Sequence, residues 1–309
     1  MKLLQKIKKV LRKPGLVVQK LLETKCSRLL TDQGHVKLYY WARTGKKLRL
    51  KDPVTFNEKL QWMKLYDRRD LYRICADKLQ VRQYVAEKLG EEYLIPRLGS
   101  WENPEQIDFD QLPDQFVLKC NHNSGLGMCI CKNKAELDQA AVRKQLLQGL
   151  REDYYYHGRE WSYKDLPRRI VGEAFLTDGA GTLADYKIHV FNGKARFILV
   201  CADRFDESGL TEDFYTPQWE HMDIRRPGIP NAKKPQEKPQ LLSQLLECAE
   251  KLGQDLPFVR ADFYVCNGKI YFGEMTFYPA GGSKPFDPPQ WDETFGSWLQ
   301  LPEVHKEKS

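Results

Sequence analysis

The spacing of apolar residues along this chain alternates between helical and strand periods. Residues 55–90 begin with Thr55-x-x-Glu58, which is typical of a capped helix N-terminus, and they end at Gly90. Other stretches, in which apolar residues recur every three or four positions, are typical of amphipathic helices. The pattern predicts helices at residues 55–90, 135–150, 241–252 and 291–299.

Short apolar runs bounded by turn residues predict strands. Asn192-Gly193 and Asn267-Gly268 each separate two such runs, and Asn-Gly is the strongest short hairpin signal. The predicted strands are residues 93–98, 116–119, 128–131, 170–176, 186–191, 195–201, 258–265 and 270–277. Because hairpins and helices mix without strict βαβ alternation, the predicted fold class is α+β.

Two segments have little periodicity. Residues 151–167 are aromatic and charged, and residues 203–238 are rich in proline and charge. A long segment of this kind in a folded chain is typical of a loop that covers an active site. We expect these two segments to select the substrates.

The N-terminal segment is basic and the remainder is mildly acidic. Residues 1–51 contain fifteen Lys or Arg and two acidic residues, whereas the whole chain carries a net charge of +7. This distribution does not favour a nucleic-acid partner. Residues 1–13 predict a helix with one lysine-rich face, which either lies on an anionic membrane or packs on the body of the protein.

Composition indicates a globular protein of roughly two domains, since domains average about 150 residues. The basic N-terminus lacks the continuous apolar run of a signal peptide, and no run of about 18 apolar residues predicts a membrane span. The eight cysteines include no Cys-x-x-Cys pair. The predicted location is the cytoplasm, with the alternative of peripheral contact at the inner face of the membrane.

A lysine stands at the end of one predicted strand, directly before a glycine-rich turn. The ammonium of Lys119 and backbone N–H groups in residues 121–127 could together contact a phosphate. The alternative is an ordinary hairpin turn beside a surface lysine. The spacing matches neither the P-loop nor the dinucleotide-binding fingerprint.

The last predicted hairpin contains three charged residues in otherwise apolar strands: Arg260, Asp262 and Glu274. Two buried carboxylates cost several kcal/mol unless a cation offsets them, and Mg²⁺ binds one or two carboxylates together with phosphates. The alternative is an Arg260–Glu274 salt bridge with Asp262 in solvent.

The register of this hairpin distinguishes the two interpretations. A two-residue turn at Asn267-Gly268 without a bulge would pair Asp262 with Gly273 and place Glu274 on the opposite face. A shared metal therefore requires a longer connection or a bulge that pairs Asp262 with Glu274. We predict that register.

Five sequence blocks, in order, resemble the ATP-grasp superfamily. They are similar above all to its teichuronopeptide-biosynthesis-like (TupA-like) branch of surface-polysaccharide amidoligases, and the resemblance covers residues 54–302. The blocks are ADKLQVRQYV, FVLKCNHNSGLG, IVGEAFL, DYKIHVFNGK and RADFYVCNGKIYFGEMTFYPAGG. The resemblance implies an ATP-grasp fold, in which two α+β subdomains clasp ATP, behind a helical basic N-terminal extension.

The resemblance also implies roles for individual residues at the nucleotide. Lys78 and Lys119 would neutralise phosphates beneath a closing loop formed by Ser124, Gly125 and Gly127. The segment that lines the adenine would be Glu173, Ala174, Phe175 and Leu176. Asp185 would lie near the ribose hydroxyls.

For the reaction itself, the resemblance implies that Asp262 and Glu274 hold Mg²⁺. Thr276 stands where the superfamily commonly has a metal-binding Asn. Arg260 would stabilise an acyl phosphate. Two further candidates for contact with phosphate or substrate are Lys187 and Arg204.

The implied function is that of an ATP- and Mg²⁺-dependent carboxylate–amine ligase. It would attach an amino acid or other amine to a uronic-acid carboxyl in bacterial surface-polysaccharide (capsule) biosynthesis. The implied organisation is a basic extension (1–52), an N-terminal lobe (53–115), a small ATP-grasp subdomain (116–176), a large subdomain with the metal site (177–302) and a tail (303–309).

Three alternatives remain at this point. A glycosyltransferase would need a sugar-nucleotide site, commonly with an Asp-x-Asp metal motif. An ATP-grasp kinase would stop at phosphate transfer, and a non-catalytic membrane-bound scaffold would retain only the remains of a nucleotide site. No nucleophile motif such as Gly-x-Ser-x-Gly supports a hydrolase.

Overall fold

The structure, a computed structural model, describes residues 14–179, 183–202 and 209–303. The predicted N-terminal basic helix (1–13) and the candidate residue Arg204 lie outside the described residues. The helices are α1 (Pro14–Leu22), α2 (Asp32–Thr44), α3 (Phe56–Tyr66), α4 (Asp70–Ala76), α5 (Val81–Lys88), α6 (Gln139–Arg151), α7 (Tyr155–Gly158), α8 (Leu242–Gly253) and α9 (Gln290–Trp298).

The helical pattern of residues 55–90 forms three helices, α3, α4 and α5, rather than one. The predicted cap is present, since the Thr55 hydroxyl accepts from the Glu58 N–H and the Glu58 carboxylate accepts from the Thr55 N–H. The first break follows Tyr66, where the carboxylate of Asp67 accepts two hydrogen bonds of 2.9 Å from Arg69. A side chain that bonds locally in this way competes with helix continuation.

Within the described residues, ten strands form two sheets in which neighbouring strands are antiparallel. The four-stranded sheet has the order β1-β4-β2-β3, and the six-stranded sheet has the order β10-β9-β5-β6-β7-β8. The strands are β1 (Arg97–Trp101), β2 (Phe116–Cys120), β3 (Met128–Cys131), β4 (Ile170–Ala174), β5 (Asp185–Phe191), β6 (Lys194–Ala202), β7 (Thr211–Tyr215), β8 (His221–Met222), β9 (Phe258–Cys266) and β10 (Lys269–Thr276). The predicted α+β class is confirmed.

Two local predictions were wrong. The strand expected at residues 93–98 begins only at Arg97, because residues 91–93 form a 3-10 turn after Gly90. The segment 203–238 is not wholly irregular, since it contains β7 and β8 at the edge of the six-stranded sheet. These strands are only five and two residues long, too short to show a clear alternation among the prolines and charges around them.

The six-stranded sheet has a core on each face. Helix α8 packs against β5, β6 and β9, and its Leu245, Ala249 and Leu252 are fully buried. On the other face, α3 and α9 cover the aromatic half, where the Phe56 ring lies 4.9 Å from Phe258 and the Phe295 ring 4.3 Å from Phe197.

Alternate residues of a strand share a face, so Arg260 and Asp262 continue the face that begins with Phe258. Beyond the two helices, this half of the face is charged and borders a cavity.

Among the described residues, no helix is long and apolar enough to cross a membrane. Seven of the eight cysteines are buried and Cys26 is exposed.

Candidate functional site

A cavity of about 390 Å³ lies between the two sheets. The loop that joins β2 to β3 borders it on one side, and strands β5, β6, β9 and β10 border it on the other. Most of the residues predicted to act together line this cavity: Lys78, Lys119, Ser124, Gly125, Asp185, Lys187, Arg260, Asp262 and Glu274.

The predicted register of the last hairpin is confirmed. The turn is the tight two-residue type, because Lys269 pairs with Cys266, and the pairing then shifts at a bulge between Phe272 and Glu274. Glu274 consequently lies directly opposite Asp262. A Cβ on Gly273 would lie 3.1 Å from the backbone oxygen of Asp262, so the bulge requires a residue with little or no side chain.

Asp262 is the centre of a buried ionic network and is only 1% exposed. Arg260 donates to both of its carboxylate oxygens, through Nε at 2.7 Å and Nη2 at 2.6 Å. Lys187, directly opposite on β5, donates to Oδ2 at 2.5 Å. The Arg260–Glu274 salt bridge also forms, at 2.7 Å, but the alternative in which Asp262 lies in solvent was wrong.

Glu274 is partly exposed at the edge of this network. Burial alone would raise the pKa of its carboxyl. The positive charges of Arg260, Lys187 and Lys78 outweigh this effect and lower the pKa to about 2. Glu274 therefore carries its charge throughout the physiological pH range. The Thr276 hydroxyl donates to Glu274 Oε1 at 3.2 Å, so Thr276 holds this carboxylate in place.

The donor set suits Mg²⁺, which binds one or two carboxylates and takes its remaining ligands from water and substrate phosphates. Within the ranges that the structure describes, no group of three or more His, Cys, Asp or Glu side chains is arranged to hold a metal. A cation held by Asp262 and Glu274 would therefore take its remaining ligands from water and from phosphate oxygens.

The two predicted phosphate-binding lysines approach the cavity from different elements. Lys119 at the end of β2 lies 2.6 Å from Glu173 Oε2 on β4. Lys78, between α4 and α5, donates to the backbone oxygen of Asn123 at 2.5 Å. Burial lowers the pKa of Lys78 to about 8.

The glycine-rich loop has a buried base and an exposed tip. Asn121, His122 and Asn123 are buried, whereas residues 124–126 are exposed. Gly127 has a φ of 65° and packs on α6, where a Cβ would lie 2.9 Å from the Cα of Gly149. Only glycine combines this conformation with this close approach. His122 bonds to the backbone oxygen of Glu152 at 3.1 Å and so ties the base of the loop to the segment after α6.

A smaller cavity of about 210 Å³ adjoins the first, and the two share Ile95, Lys119, Met128 and Tyr264. The predicted adenine segment, Glu173, Ala174, Phe175 and Leu176, lines this smaller cavity together with Val117, Ile130 and Leu183. Its largely apolar walls can hold a flat aromatic ring, and the shared Lys119 connects it to the charged cavity.

Asp185 and Lys187 lie two residues apart on β5 and share a face, as their spacing predicts. The Lys187 Nζ lies 2.5 Å from Asp185 Oδ2 as well as from Asp262 Oδ2. Lys187 therefore links two carboxylates across neighbouring strands.

Sequence reasoning missed three residues at the far end of the larger cavity: Glu212, Arg226 and Lys284. Arg226 Nε lies 3.7 Å, and Lys284 Nζ 3.9 Å, from Glu212 Oε2. The only available signal was that two of them lie in the aperiodic segment 203–238.

The chain contains an Asp-x-Asp sequence, Asp108-Phe109-Asp110, but it is not part of this site. Its residues form a 3-10 turn in which the Asp108 side chain accepts from the Asp110 N–H at 3.0 Å. Neither carboxylate borders the two adjoining cavities. The motif is a surface turn and does not support a glycosyltransferase.

The sequence matches the family model for TupA-like ATP-grasp proteins over residues 58–300. The chain belongs to the TupA-like ATP-grasp family. Membership confirms the expected family and its ATP-grasp fold. A search of curated proteins finds no significant sequence match.

Several solved structures are similar in arrangement. The D-alanine–D-alanine ligase of Helicobacter pylori is 16% identical, with a TM-score of 0.42 over 80% of this chain and 69% of that one. The Bacillus anthracis D-alanine–D-alanine ligase is 17% identical, with a TM-score of 0.40 over 66% of this chain. The ATP-grasp ligase PsnB is 12% identical in sequence, with a TM-score of 0.39 over 72% of this chain and 57% of that one. Its structure is a complex with minimal precursor, Mg and ADP. This chain spans 57% of the length of the Bacillus anthracis ligase.

Proposed function

We propose that this chain joins a carboxylate to an amine at the expense of ATP, through an acyl phosphate. One observation carries the proposal: a single cavity gathers two lysines, a glycine-rich loop and a pair of carboxylates bound by Arg260 and Lys187. These are the parts needed to hold a polyphosphate, to hold a divalent cation and to stabilise negative charge during transfer.

The nucleotide would extend across both cavities. We place the adenine in the smaller cavity beside Glu173, Ala174, Phe175 and Leu176, and the ribose near Asp185. The phosphates would then reach Lys78 and Lys119 beneath Ser124, Gly125 and Gly127. The support for this placement is the continuity of the two cavities through Lys119 and Tyr264.

Asp262 and Glu274 would hold Mg²⁺, with Thr276 fixing the position of Glu274. When bound, the metal ion supplies positive charge that offsets the phosphates and polarises them. Because Asp262 already accepts from Arg260 and Lys187, phosphates that attract these two cations would make its oxygens available.

The proposed reaction has two steps, phosphoryl transfer and amide formation. A substrate carboxylate oxygen attacks the γ-phosphorus, the bond from that phosphorus to the β–γ bridging oxygen breaks, and ADP leaves. The amine nitrogen then attacks the acyl carbon and loses a proton, the carbon–oxygen bond to phosphate breaks, and an amide forms. Arg260 and Lys187 lie at the wall of the cavity, where they would stabilise the developing oxyanions.

The family resemblance suggests finer detail. The carboxylate would belong to a uronic acid in a bacterial surface polysaccharide or its precursor, and the amine would be an amino acid or other amine. Such chemistry takes place in the cytoplasm, where ATP is supplied, and the basic N-terminal segment would bring the enzyme to the inner face of the membrane.

The test is ADP release with ATP, Mg²⁺ and pairs of candidate uronates and amino acids. We expect ADP only with a matching pair, together with a new amide-linked product in the mass spectrum, and neither with the Asp262→Asn variant. A phosphorylated product that forms without any amine would identify a kinase instead. Stabilisation against heat by sugar nucleotides, but not by ATP with Mg²⁺, would contradict the proposal.

A further inference from the structure

We infer that Glu212, Arg226 and Lys284 bind the amine co-substrate, and that this co-substrate is an amino acid with a free carboxylate. Arg226 and Lys284 would bind the carboxylate, and Glu212 would accept from the ammonium. The inference rests on the proposed function and decides between an amino acid and a simple amine.

The three residues are held rigidly at one end of the larger cavity. Glu212 lies on β7 directly opposite Cys201, which also borders the cavity. The neighbour of Arg226, Arg225, exchanges two backbone hydrogen bonds with Asp287, at 2.7 and 2.9 Å. The guanidinium of Arg226 lies 4.7 Å above the ring of Phe286. This anchoring fixes a cation in place before any ligand arrives.

Two polar atoms in this cluster are buried without a hydrogen-bond partner among the described residues: Arg226 Nε and Glu212 Oε2. Arg226 is 5% exposed and borders the cavity, so the missing partner would have to come from within the cavity. A buried polar atom without a partner is costly, and such atoms in native proteins commonly await a ligand or water. Nε–H needs an acceptor and Oε2 needs a donor, which matches a carboxylate and an ammonium on one molecule.

The ion pairs in this cluster are longer than the ion pair between Arg260 and Asp262 in the same cavity. Arg226 and Lys284 lie 3.7 and 3.9 Å from Glu212, whereas Arg260 lies 2.6 Å from Asp262. Charge-assisted hydrogen bonds are normally about 2.7–2.9 Å long. The two cations therefore lie beside Glu212 with donor capacity remaining.

The charge balance also disfavours a simple cationic amine. Side chains that border the cavity include six cations and four carboxylates. Asp185, Asp262 and Glu274 are engaged by Lys187 and Arg260. At the far end, two cations share the single carboxylate of Glu212. An amino-acid zwitterion would leave this end at a net charge of +1, whereas an ammonium without a carboxylate would raise it to +2.

The test is calorimetric titration of the protein, loaded with ADP and Mg²⁺, with each of the twenty common amino acids. The strongest binder is then compared with its decarboxylated amine and with glucuronate. The variants are Lys284→Gln and Glu212→Gln, and Arg226→Met is added after its melting temperature has been checked. Lys234→Gln is the matched control, because Lys234 is an exposed lysine in the same segment.

We expect at least one amino acid to bind, and its amine to bind more weakly by about tenfold or more, since a charged hydrogen bond contributes about that factor. Lys284→Gln and Glu212→Gln should weaken amino-acid binding to a similar degree. The affinity for ADP should stay within about twofold, because the proposed phosphate contacts are made by other residues, Lys78 and Lys119. Lys234→Gln should change neither.

Equal binding of the amine and the amino acid would overturn the inference, as would amino-acid binding that is insensitive to Lys284→Gln and Glu212→Gln. Binding of glucuronate, with the same sensitivity, would assign the cluster to the other substrate and also overturn it. Failure of ADP and Mg²⁺ to bind the unaltered protein would instead contradict the proposed function, so the two failures can be distinguished.

Discussion

Glu274 lies directly opposite Asp262, one residue away from the register that the Asn267-Gly268 turn alone would give. The bulge at Gly273 produces this shift. Without it, the two carboxylates would lie on opposite faces of the sheet and could not share a cation. The one-residue shift at this bulge therefore determines whether the two carboxylates of the hairpin can share a metal ion.

Replacing Gly273 with alanine should disturb both the site and the fold. The added Cβ would press on the Asp262 backbone oxygen and the Tyr264 ring, at 3.1 and 3.2 Å, and would move Asp262 relative to Glu274. We expect a loss of about 1–3 kcal/mol in unfolding free energy, as is typical of overpacking. Affinity for ATP with Mg²⁺ should fall by about tenfold, a cost of about 1.4 kcal/mol.

Thermal melting and calorimetry check the Gly273→Ala prediction. Gly34→Ala is a suitable control, because the only atom near its new Cβ is the flexible Thr31 hydroxyl, at 3.1 Å. Unchanged nucleotide affinity in Gly273→Ala would show that the bulge does not set the carboxylate pair.

Asp262→Asn should destabilise the protein strongly. The carboxylate is the shared acceptor of Arg260 and Lys187, and its removal leaves two buried cations with less compensation. Breaking a buried ion pair on one side costs about 3–5 kcal/mol. Glu274→Gln, at a partly exposed position, should cost much less in urea unfolding at pH 7. Equal stability of the two variants would contradict the central role of Asp262.

A double variant separates the proposed phosphate contact of Lys119 from its ion pair with Glu173. Lys119→Met leaves Glu173 buried with only Arg82 nearby, at 3.9 Å, so it should lose both stability and ATP affinity. Lys119→Met combined with Glu173→Gln should recover most of the stability, because the unpaired buried charge is gone. It should not recover ATP affinity. Recovery of both would remove Lys119 from the phosphate site.

Nucleotide binding should take up protons near pH 8. Burial lowers the pKa of Lys78 to about 8, so part of the free protein lacks this charge at that pH. Phosphates favour the charged form and raise the pKa in the complex. Affinity for ATP should therefore weaken as pH rises above about 8, once free Lys78 loses its proton.

Calorimetry in two buffers of different ionisation enthalpy measures this proton uptake. Lys78→Met should abolish it, whereas Lys144→Met, at an exposed lysine of α6, should not. Identical proton uptake in Lys78→Met and the unaltered protein would show that another group titrates.

The sequence predicted those parts of the site that lie in regular elements. Alternation along β9 and β10 placed Arg260, Asp262 and Glu274 in otherwise apolar strands, where charge needs an explanation. Alternation on β5 also placed Asp185 beside Lys187. In these cases the relevant neighbours are close along the chain or across one hairpin, so local periodicity contains the information.

The far end of the cavity could not be predicted in the same way. Glu212, Arg226 and Lys284 come from an edge strand, an isolated bridge and a turn region, and they meet only because β7 pairs with β6 and Arg225 with Asp287. These contacts join segments separated by tens of residues without a shared period. The division of residues 55–90 into three helices was missed for a different reason. It accompanies local side-chain bonds that Asp67 accepts from Arg69 and Tyr72, and the spacing of apolar residues does not reveal such bonds.

The contact between Gly127 and Gly149 limits how far the glycine-rich loop can travel. Its base is fixed by Lys78 and by α6, so only residues 124–126 are free to move. Three residues span at most about 10 Å when extended. If this loop closes over a nucleotide, the movement would be confined to its tip, and the glycine contact at its base would act as a fixed hinge.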